Sequence, residues 1–150
     1  METFITRNLQ TTKKLGEMLA LEIKNGKIIC LEGNLGSGKT TFAQGLLKRL
    51  GAKGPYTSPT FVIMKQYKLA TNNQQPTTNN KKKSSVAYHI DAYRVQAKDL
   101  LNLGWKEMLA ENSPAGENII IIEWADRIRK IIPRGAIWIK FKWLGQNKRK

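Results

Sequence analysis

The segment from Gly33 to Thr40 constrains this chain more than any other, because its letters GNLGSGKT match the pattern G-x-x-x-x-G-K-[ST]. Glycines at these positions let the backbone fold into a nest whose N–H groups point at phosphate oxygens. An apolar run at residues 27–32 precedes the segment, as a buried parallel strand would, and a helical pattern follows it. A helix that starts here directs its positive end to the same place. The context therefore predicts a nucleotide-binding loop.

The loop and the residue after it are the predicted nucleotide ligands: Gly33, Asn34, Leu35, Gly36, Ser37, Gly38, Lys39, Thr40 and Thr41. Lys39 should reach the β- and γ-phosphates, and the Thr40 hydroxyl should ligate Mg²⁺. GTPases read their base with an Asn-Lys-x-Asp motif, whereas residues 80–83 read Asn-Lys-Lys-Lys within a low-complexity segment. ATP is therefore the predicted nucleotide, with Mg²⁺ as its metal.

Two predicted strands end in acids that could serve such a site. A P-loop ATPase needs a carboxylate near the metal and a group that places the attacking water. Glu123 follows four isoleucines, and Asp91 ends the strand at residues 86–91, with His89 on the same side by alternation. Glu123 could instead cap the following turn, and His89 is more simply a hydrogen-bonded structural histidine. One histidine and one cysteine in the whole chain argue against a zinc site.

The remaining pattern predicts a single α/β domain over residues 1–150, with a mostly parallel central sheet, an antiparallel hairpin and helices on both faces. Helices are expected at about residues 12–24, from the loop to Gly51, and as one or two short turns within 99–109. Strands are expected at residues 27–32, 60–69, 86–91, 118–123 and 135–143. Residues 70–85 lack apolar periodicity and are predicted to be a mobile surface loop, and residues 146–150 form a basic tail.

The charge is strongly basic, with 26 Lys and Arg against 11 Asp and Glu, a formal net charge of +15. Such a surface attracts nucleic acid and acidic proteins. The joint abundance of Lys, Asn and Ile also fits an AT-biased genome, and both explanations stay open. No apolar stretch approaches the ~18–20 residues that span a bilayer, and residues 1–10 lack a secretory pattern. With its single Cys30 inside an apolar run, the chain is predicted to be cytoplasmic, without membrane contact.

Four motifs stand in an order that resembles the bacterial TsaE family, the ATPase of tRNA threonylcarbamoyladenosine synthesis. They are GNLGSGKTTF at residues 33–42, SPTF at 58–61, HIDAYR at 89–94 and IEWADR at 122–127. The resemblance covers nearly the whole chain. The loop at residues 70–85 looks longer than the family's, and Asn34 stands where the family usually has Asp, which removes a charge from the loop.

The resemblance implies roles for single residues. Residues 57–61 would be switch I, with Thr60 near Mg²⁺. Asp91 would be a metal-side carboxylate, and Glu123 a Walker-B-like acid that is a candidate for orienting water. Trp124 would lie near the nucleotide's base, although it could also be an ordinary partly buried aromatic. The implied catalytic set is Lys39, Asp91 and Glu123, and the implied metal ligands are Thr40, Thr60, Asp91 and Glu123.

The resemblance also implies a function, which is to support the synthase that modifies adenosine at position 37 of tRNAs reading codons that begin with A. The chain would bind the TsaD and TsaB proteins and hydrolyse ATP without transferring the threonylcarbamoyl group itself. Its own contact with tRNA should be weak and nonspecific. Two alternatives stay open: a small-molecule or nucleoside kinase, which usually carries a lid-like arginine cluster, and a basic RNA-binding module with a degenerate nucleotide site. The oligomeric state is left open.

Overall fold

The computed structural model of the chain describes residues 2–23, 27–59, 62–69, 85–111 and 118–150. Within these ranges five strands form one sheet: β1 Ile28–Glu32, β2 Met64–Lys68, β3 Val86–Asp91, β4 Ile119–Glu123 and β5 Ile137–Lys140. Their order is β2-β3-β4-β1-β5, and only the β2–β3 pair is antiparallel. This confirms the predicted mostly parallel sheet with one antiparallel hairpin.

The helices are α1 Leu9–Glu22, α2 Lys39–Arg49, α3 Ala97–Asn102 and α4 Trp105–Glu111, followed by a 3₁₀ helix at Ala125–Ile131 that was not predicted. α1 begins three residues before the predicted start at Thr12. Asn8 caps it, since its side chain accepts from the Thr11 amide at 2.8 Å while the Thr11 hydroxyl accepts from the Asn8 amide at 3.3 Å. Apolar spacing alone misses this reciprocal cap, because the first turn of α1 is polar.

The core lies on both sides of the sheet, because neighbouring residues of a strand face opposite ways. On one side Ile29 and Leu31 of β1 pack with Phe42, Leu46 and Leu47 of α2. The other side buries a second cluster together with α3, α4 and the 3₁₀ helix: Ile28, Cys30, Ile120, Ile122, Leu100, Trp105 and Ile128. Helices therefore cover both faces, as predicted.

α1 and α2 pack closely because a glycine stands at their contact. A Cβ at Gly45 of α2 would lie 2.0 Å from the carbonyl oxygen of Lys13 in α1, which no side chain could tolerate. The contact lies in the second turn of α2, one turn after the nucleotide-binding loop ends. No helix of the described residues is long and apolar enough to cross a membrane.

The last residues fold back on the chain, although the sequence alone gave them only as a basic tail. β5 ends at Lys140, and residues 142–150 form a C-terminal hairpin in which the backbones of Lys142 and Lys150 exchange hydrogen bonds of 2.7 and 2.9 Å. Thr6 and Arg149 exchange two more backbone bonds, both 2.9 Å long. Of the predicted surface loop at residues 70–85, all but Ser85 lie outside the described residues.

Candidate functional site

The predicted nucleotide-binding loop joins β1 to α2 at the carboxyl edge of the sheet. Gly38 is the N-cap of α2 and has a left-handed backbone with φ of 101°, which explains why glycine stands there. No side chain caps this end of the helix. The first amides of α2 are consequently available to an anion, which is the arrangement expected of a phosphate site.

The Lys39 side chain closes over this loop. Its Nζ donates to the carbonyl oxygens of Gly33 at 2.7 Å and Asn34 at 3.0 Å, and it lies 3.8 Å from the ring centroid of Trp124. Burial lowers the pKa of the Lys39 amine, and three nearby carboxylates act in the opposite direction: Glu123, Asp91 and Asp126. A phosphate held in the loop would favour the ammonium form in the same way as these carboxylates.

A buried chain of polar side chains runs from the loop into the sheet. The Thr40 hydroxyl donates to Glu123 Oε2 at 2.7 Å, and Glu123 Oε1 lies 2.9 Å from Nε2 of His89. His89 and Glu123 are only 1% and 2% exposed. The Glu123 side chain therefore binds the predicted metal ligand Thr40. The N-cap position of the following 3₁₀ helix, an alternative role for Glu123, is occupied by Trp124. The hydrogen-bonded histidine expected from the sequence is confirmed.

Asp91 lies beside Glu123, because the two residues are register partners on the parallel strands β3 and β4. It is 5% exposed, and its Oδ1 accepts from the Tyr93 amide at 2.8 Å. Both acids thus lie at the same edge of the sheet as the loop. Carboxylate and hydroxyl oxygens are the protein ligands that Mg²⁺ prefers, so Thr40, Asp91 and Glu123 fit the predicted metal.

Two aromatic rings and two cations form a stack next to the loop. The Trp124 ring lies 4.8 Å from that of Tyr93, and the Arg127 guanidinium lies 4.7 Å from the Tyr93 ring. Lys39 Nζ lies 3.8 Å from the Trp124 centroid, and the Arg127 guanidinium lies 5.7 Å from it. Trp124 has a left-handed backbone with φ 59° and ψ 36°. This conformation is uncommon for a bulky residue, and residues that adopt it are concentrated at functional sites. The sequence indicated Tyr93 as a residue that could continue the face of His89 and Asp91, and Arg127 as a candidate arginine finger, but it did not predict that the two side chains contact each other.

The family model described as "Threonylcarbamoyl adenosine biosynthesis protein TsaE" matches residues 6–150. This chain belongs to the TsaE family. The tRNA threonylcarbamoyladenosine biosynthesis protein TsaE of Bacillus subtilis is 32% identical over 144 residues, covering 96% of this chain and 79% of the relative. The protein of the same description from Rickettsia felis is 33% identical over 147 residues, covering 97% and 75%. A crystal structure of Bacillus subtilis YdiB superposes with a TM-score of 0.70 at 29% identity, covering 97% of this chain and 79% of that one.

Membership of the TsaE family confirms the resemblance predicted from the four motifs. The structure brings Lys39, Thr40, Asp91, Glu123 and Trp124 together at one edge of the sheet. Thr60, the other predicted metal ligand, lies outside the described residues. Among the described residues, no group of three or more His, Cys, Asp and Glu side chains could hold a metal. A magnesium ion at this edge would therefore need oxygens from Thr40 and from the nucleotide as well.

A cleft of about 690 Å³ borders both the loop and Trp124. Gly33, Asn34 and Leu35 form one wall, Trp124 and Asp126 contribute from the 3₁₀ helix, and residues 140–144 form the remainder. Leu35 is 88% exposed, so the outer part of the loop is open to this cleft. The predicted base-proximal residue Trp124 thus touches both Lys39 and a space next to the phosphate loop.

Proposed function

We propose that this chain is a magnesium-dependent ATPase that supports tRNA threonylcarbamoyladenosine synthesis, the role its family name gives. The observation that carries the proposal is the 2.7 Å hydrogen bond between Thr40 and Glu123 at the end of the loop. A hydroxyl and an acid joined in this position are the parts with which P-loop ATPases hold a nucleotide-bound metal.

The loop residues would do the binding. The amides at the start of α2 would accept the phosphates, and Lys39 would exchange the carbonyls of Gly33 and Asn34 for phosphate oxygens. Thr40 would turn its hydroxyl from Glu123 toward the metal, which frees one carboxylate oxygen. Bound Mg²⁺ would neutralise charge that develops on the transferred phosphoryl group.

The two buried acids would divide the remaining work. Asp91 would act on the metal side, and Glu123 would orient the attacking water, with His89 holding one of its oxygens at 2.9 Å. Trp124 would contact the nucleotide near its base. Positioning and electrostatic stabilisation dominate phosphoryl transfer, so a site of this kind needs no covalent intermediate.

We further propose that the partners are TsaD and TsaB and that the proteins meet in the cytoplasm. The TsaD and TsaB complex, and not this chain, would transfer the threonylcarbamoyl group. The loop amides, Thr40 and the two acids are groups of the kind that bind phosphate and Mg²⁺, which supports ATP hydrolysis. Arg129 does not support the arginine lid of a kinase, since it pairs with Glu32 at 2.9 Å and lies over Trp138.

The test is Lys39→Ala, with ATP hydrolysis measured for the chain alone and in a mixture with TsaD and TsaB. Losing one preorganised charge should raise the barrier by ~3–4 kcal/mol, a rate loss of at least ~10². Lys48→Ala is the matched control, because Lys48 lies on the same helix, is exposed and pairs only with Glu17 among the described residues. Hydrolysis that survives in a folded Lys39→Ala variant would remove the assignment, as would hydrolysis that continues after Mg²⁺ is chelated.

A further inference from the structure

The C-terminal hairpin places an arginine against the nucleotide-binding loop. A Cβ built at Gly38 would lie 3.6 Å from Cγ and 3.7 Å from Cδ of Arg149, so the arginine stem passes next to the N-cap of α2 on the side where a side chain would project. The guanidinium is attached directly to Cδ. It therefore begins next to Gly38, the residue that precedes the first amides of α2, which the proposed function assigns to phosphate.

The guanidinium is held by one of its nitrogens. Nη1 donates to the carbonyl oxygens of Gly145 at 3.2 Å, Lys148 at 3.3 Å and Gln146 at 3.4 Å. Nη1 is on the Cδ side of the group, so these bonds leave the opposite edge, Nε with Nη2, directed elsewhere. Nε is buried and has no hydrogen-bond partner among the described residues. A buried donor without a partner costs free energy until a ligand supplies an acceptor.

The charge of Arg149 is also unpaired within the described part of the chain. The ion pairs found there join Glu17 to Lys48, His89 to Glu123, and Glu32 to both Arg129 and Lys140. None of them involves Arg149. A cation next to a helix N-terminus, without a carboxylate partner, favours an anion between them.

The hairpin holds this arginine firmly in place. Its backbone is bonded to Thr6 by two 2.9 Å hydrogen bonds, and Lys150 next to it is bonded to Lys142. Thr6 is itself joined to Thr12 of α1 by a 2.8 Å bond between their hydroxyls. On the opposite strand of the hairpin, Trp143 pairs with Arg149 and borders the cleft beside Gly33 and Leu35. The hairpin therefore lies next to the loop at Gly33, through Trp143, and at Gly38, through Arg149.

We propose that Arg149 is a phosphate ligand of the nucleotide and that the C-terminal hairpin is part of the nucleotide site. This inference rests on the proposed function, because it requires a nucleotide in the loop. The edge formed by Nε and Nη2 matches the spacing of two phosphate oxygens and would bind them through two parallel, charge-assisted hydrogen bonds. Because Nε is buried in this structure, nucleotide binding would have to be accompanied by a shift of the side chain that opens this edge to the phosphates. The loop amides cradle the α- and β-phosphates, so Arg149 contacts that part of ATP and of ADP alike.

The variant that tests this is Arg149→Gln. Glutamine keeps Cγ and Cδ, the stem atoms next to Gly38, and loses the charge and the two-nitrogen edge. Its affinity for ATP and for ADP should fall by about 10-fold to 100-fold, the range expected for hydrogen bonds to charged groups. Its unfolding midpoint without nucleotide should fall, because the Nη1 bonds to the hairpin carbonyls are lost. The deciding measurement is therefore the rise in midpoint that ADP produces, taken relative to each variant's own nucleotide-free value, and this rise should shrink.

Lys148→Ala is the matched control, because Lys148 is the exposed neighbour of Arg149 in the same hairpin and its substitution also removes one positive charge. It should bind both nucleotides as the parent does. If Arg149→Gln binds ATP and ADP normally while Lys39→Ala does not, the hairpin proposal is wrong and the ATPase proposal stands. If the parent chain binds neither nucleotide, both proposals fail together.

Arg149→Lys serves if the glutamine variant does not fold. Lysine keeps the charge and the stem but has no Nε–Nη2 edge, so its affinity for ATP and ADP should be several-fold below the parent's. Parent-like affinity of a folded Arg149→Lys variant would overturn the bidentate contact proposed here.

Discussion

At the scale of single residues, the surroundings of the two buried acids differ. Glu123 is bonded on one oxygen to Thr40 and on the other to His89, so both of its oxygens are engaged. Asp91 accepts from the backbone of Tyr93, two residues away. Glu123 is thus the acid joined to the predicted metal ligand, and Asp91 is its neighbour on the next strand.

Asp91→Asn and Glu123→Gln should therefore have different effects. If Asp91 holds the metal side, its loss weakens Mg²⁺-nucleotide binding, and excess Mg²⁺ restores part of it. If Glu123 orients water, its loss lowers turnover and leaves nucleotide affinity almost unchanged. Nucleotide affinity and hydrolysis rate, each measured over a range of Mg²⁺ concentrations, separate the two. The reverse pattern would exchange the two roles. That outcome is of particular interest because Glu123 is the acid bonded to Thr40, the predicted metal ligand.

Cys30 should be inert in the native chain. It is fully buried in β1, and burial raises the pKa of its thiol to about 12. The thiolate is the reactive form, so at pH 8 only about one molecule in 10⁴ carries it. A thiol reagent such as a maleimide should modify the folded protein slowly at pH 8 and modify the denatured protein quickly. Rapid stoichiometric labelling of the native chain would contradict this burial.

At the scale of elements, the β2–β3 hairpin is hydrogen-bonded up to the two residues that flank its connection. The register pairs Met64 with Ile90 and Lys68 with Val86, and the Leu69 amide extends the ladder by donating to the Ser85 carbonyl at 2.9 Å. The two ends of the connection therefore meet within the sheet. Residues 70–84 themselves lie outside the described residues.

Replacing residues 70–84 with a short glycine-containing turn should preserve folding and ATP hydrolysis. Closure entropy changes slowly with length, by about 0.6 kcal/mol for each doubling of a flexible loop. Thermal unfolding and the hydrolysis rate measure the two properties. A full-length variant with Lys81, Lys82 and Lys83 changed to alanine separates loop length from loop charge. Loss of activity in a folded shortened chain would make the connection a binding element.

At the scale of the whole molecule, the described part of the predicted switch I, residues 57–59, lies between α2 and β2. Residues 57–59 follow α2 and lead toward β2, and Gln44 of α2 binds the neighbouring Tyr56 carbonyl at 2.9 Å. Thr60 and Phe61, the rest of the predicted switch, lie outside the described residues. A segment ordered by ATP and Mg²⁺ and released on hydrolysis would present a partner with a surface that changes during the cycle.

Binding to TsaD and TsaB should consequently require nucleotide. A pull-down with ATP, with ADP and without nucleotide measures this, and Lys39→Ala serves as the variant that should not respond to ATP. Capture of equal strength in all three conditions would remove the switch argument.

Binding of tRNA to the isolated chain should be weak, insensitive to tRNA sequence and steeply reduced by salt. The formal charge of +15 attracts phosphates, but the basic residues are scattered along the chain and carry no sequence information. Titrations at low and physiological salt with two unrelated tRNAs test this. Tight, selective binding that survives physiological salt would favour the RNA-binding alternative.

Much of this architecture was predictable from local pattern. The apolar runs that became β1 and β4, the loop from Gly33 to Thr40 and the antiparallel hairpin follow from hydrophobic spacing and glycine placement, which depend only on neighbours in sequence. Membership of the TsaE family followed from four short motifs in order. The acids Asp91 and Glu123 were placed correctly at strand ends, because parallel strands end at a common edge.

Only the tertiary structure decided which of these residues touch. The bond between Thr40 and Glu123 joins positions 83 residues apart, and no periodicity encodes it. The left-handed Trp124 over Lys39 depends on packing at the loop, and Arg149 reaches Gly38 because its backbone pairs with Thr6 at the other end of the chain. Sequence pattern specifies which faces are buried, whereas contacts between distant segments are set by how the buried faces pack together.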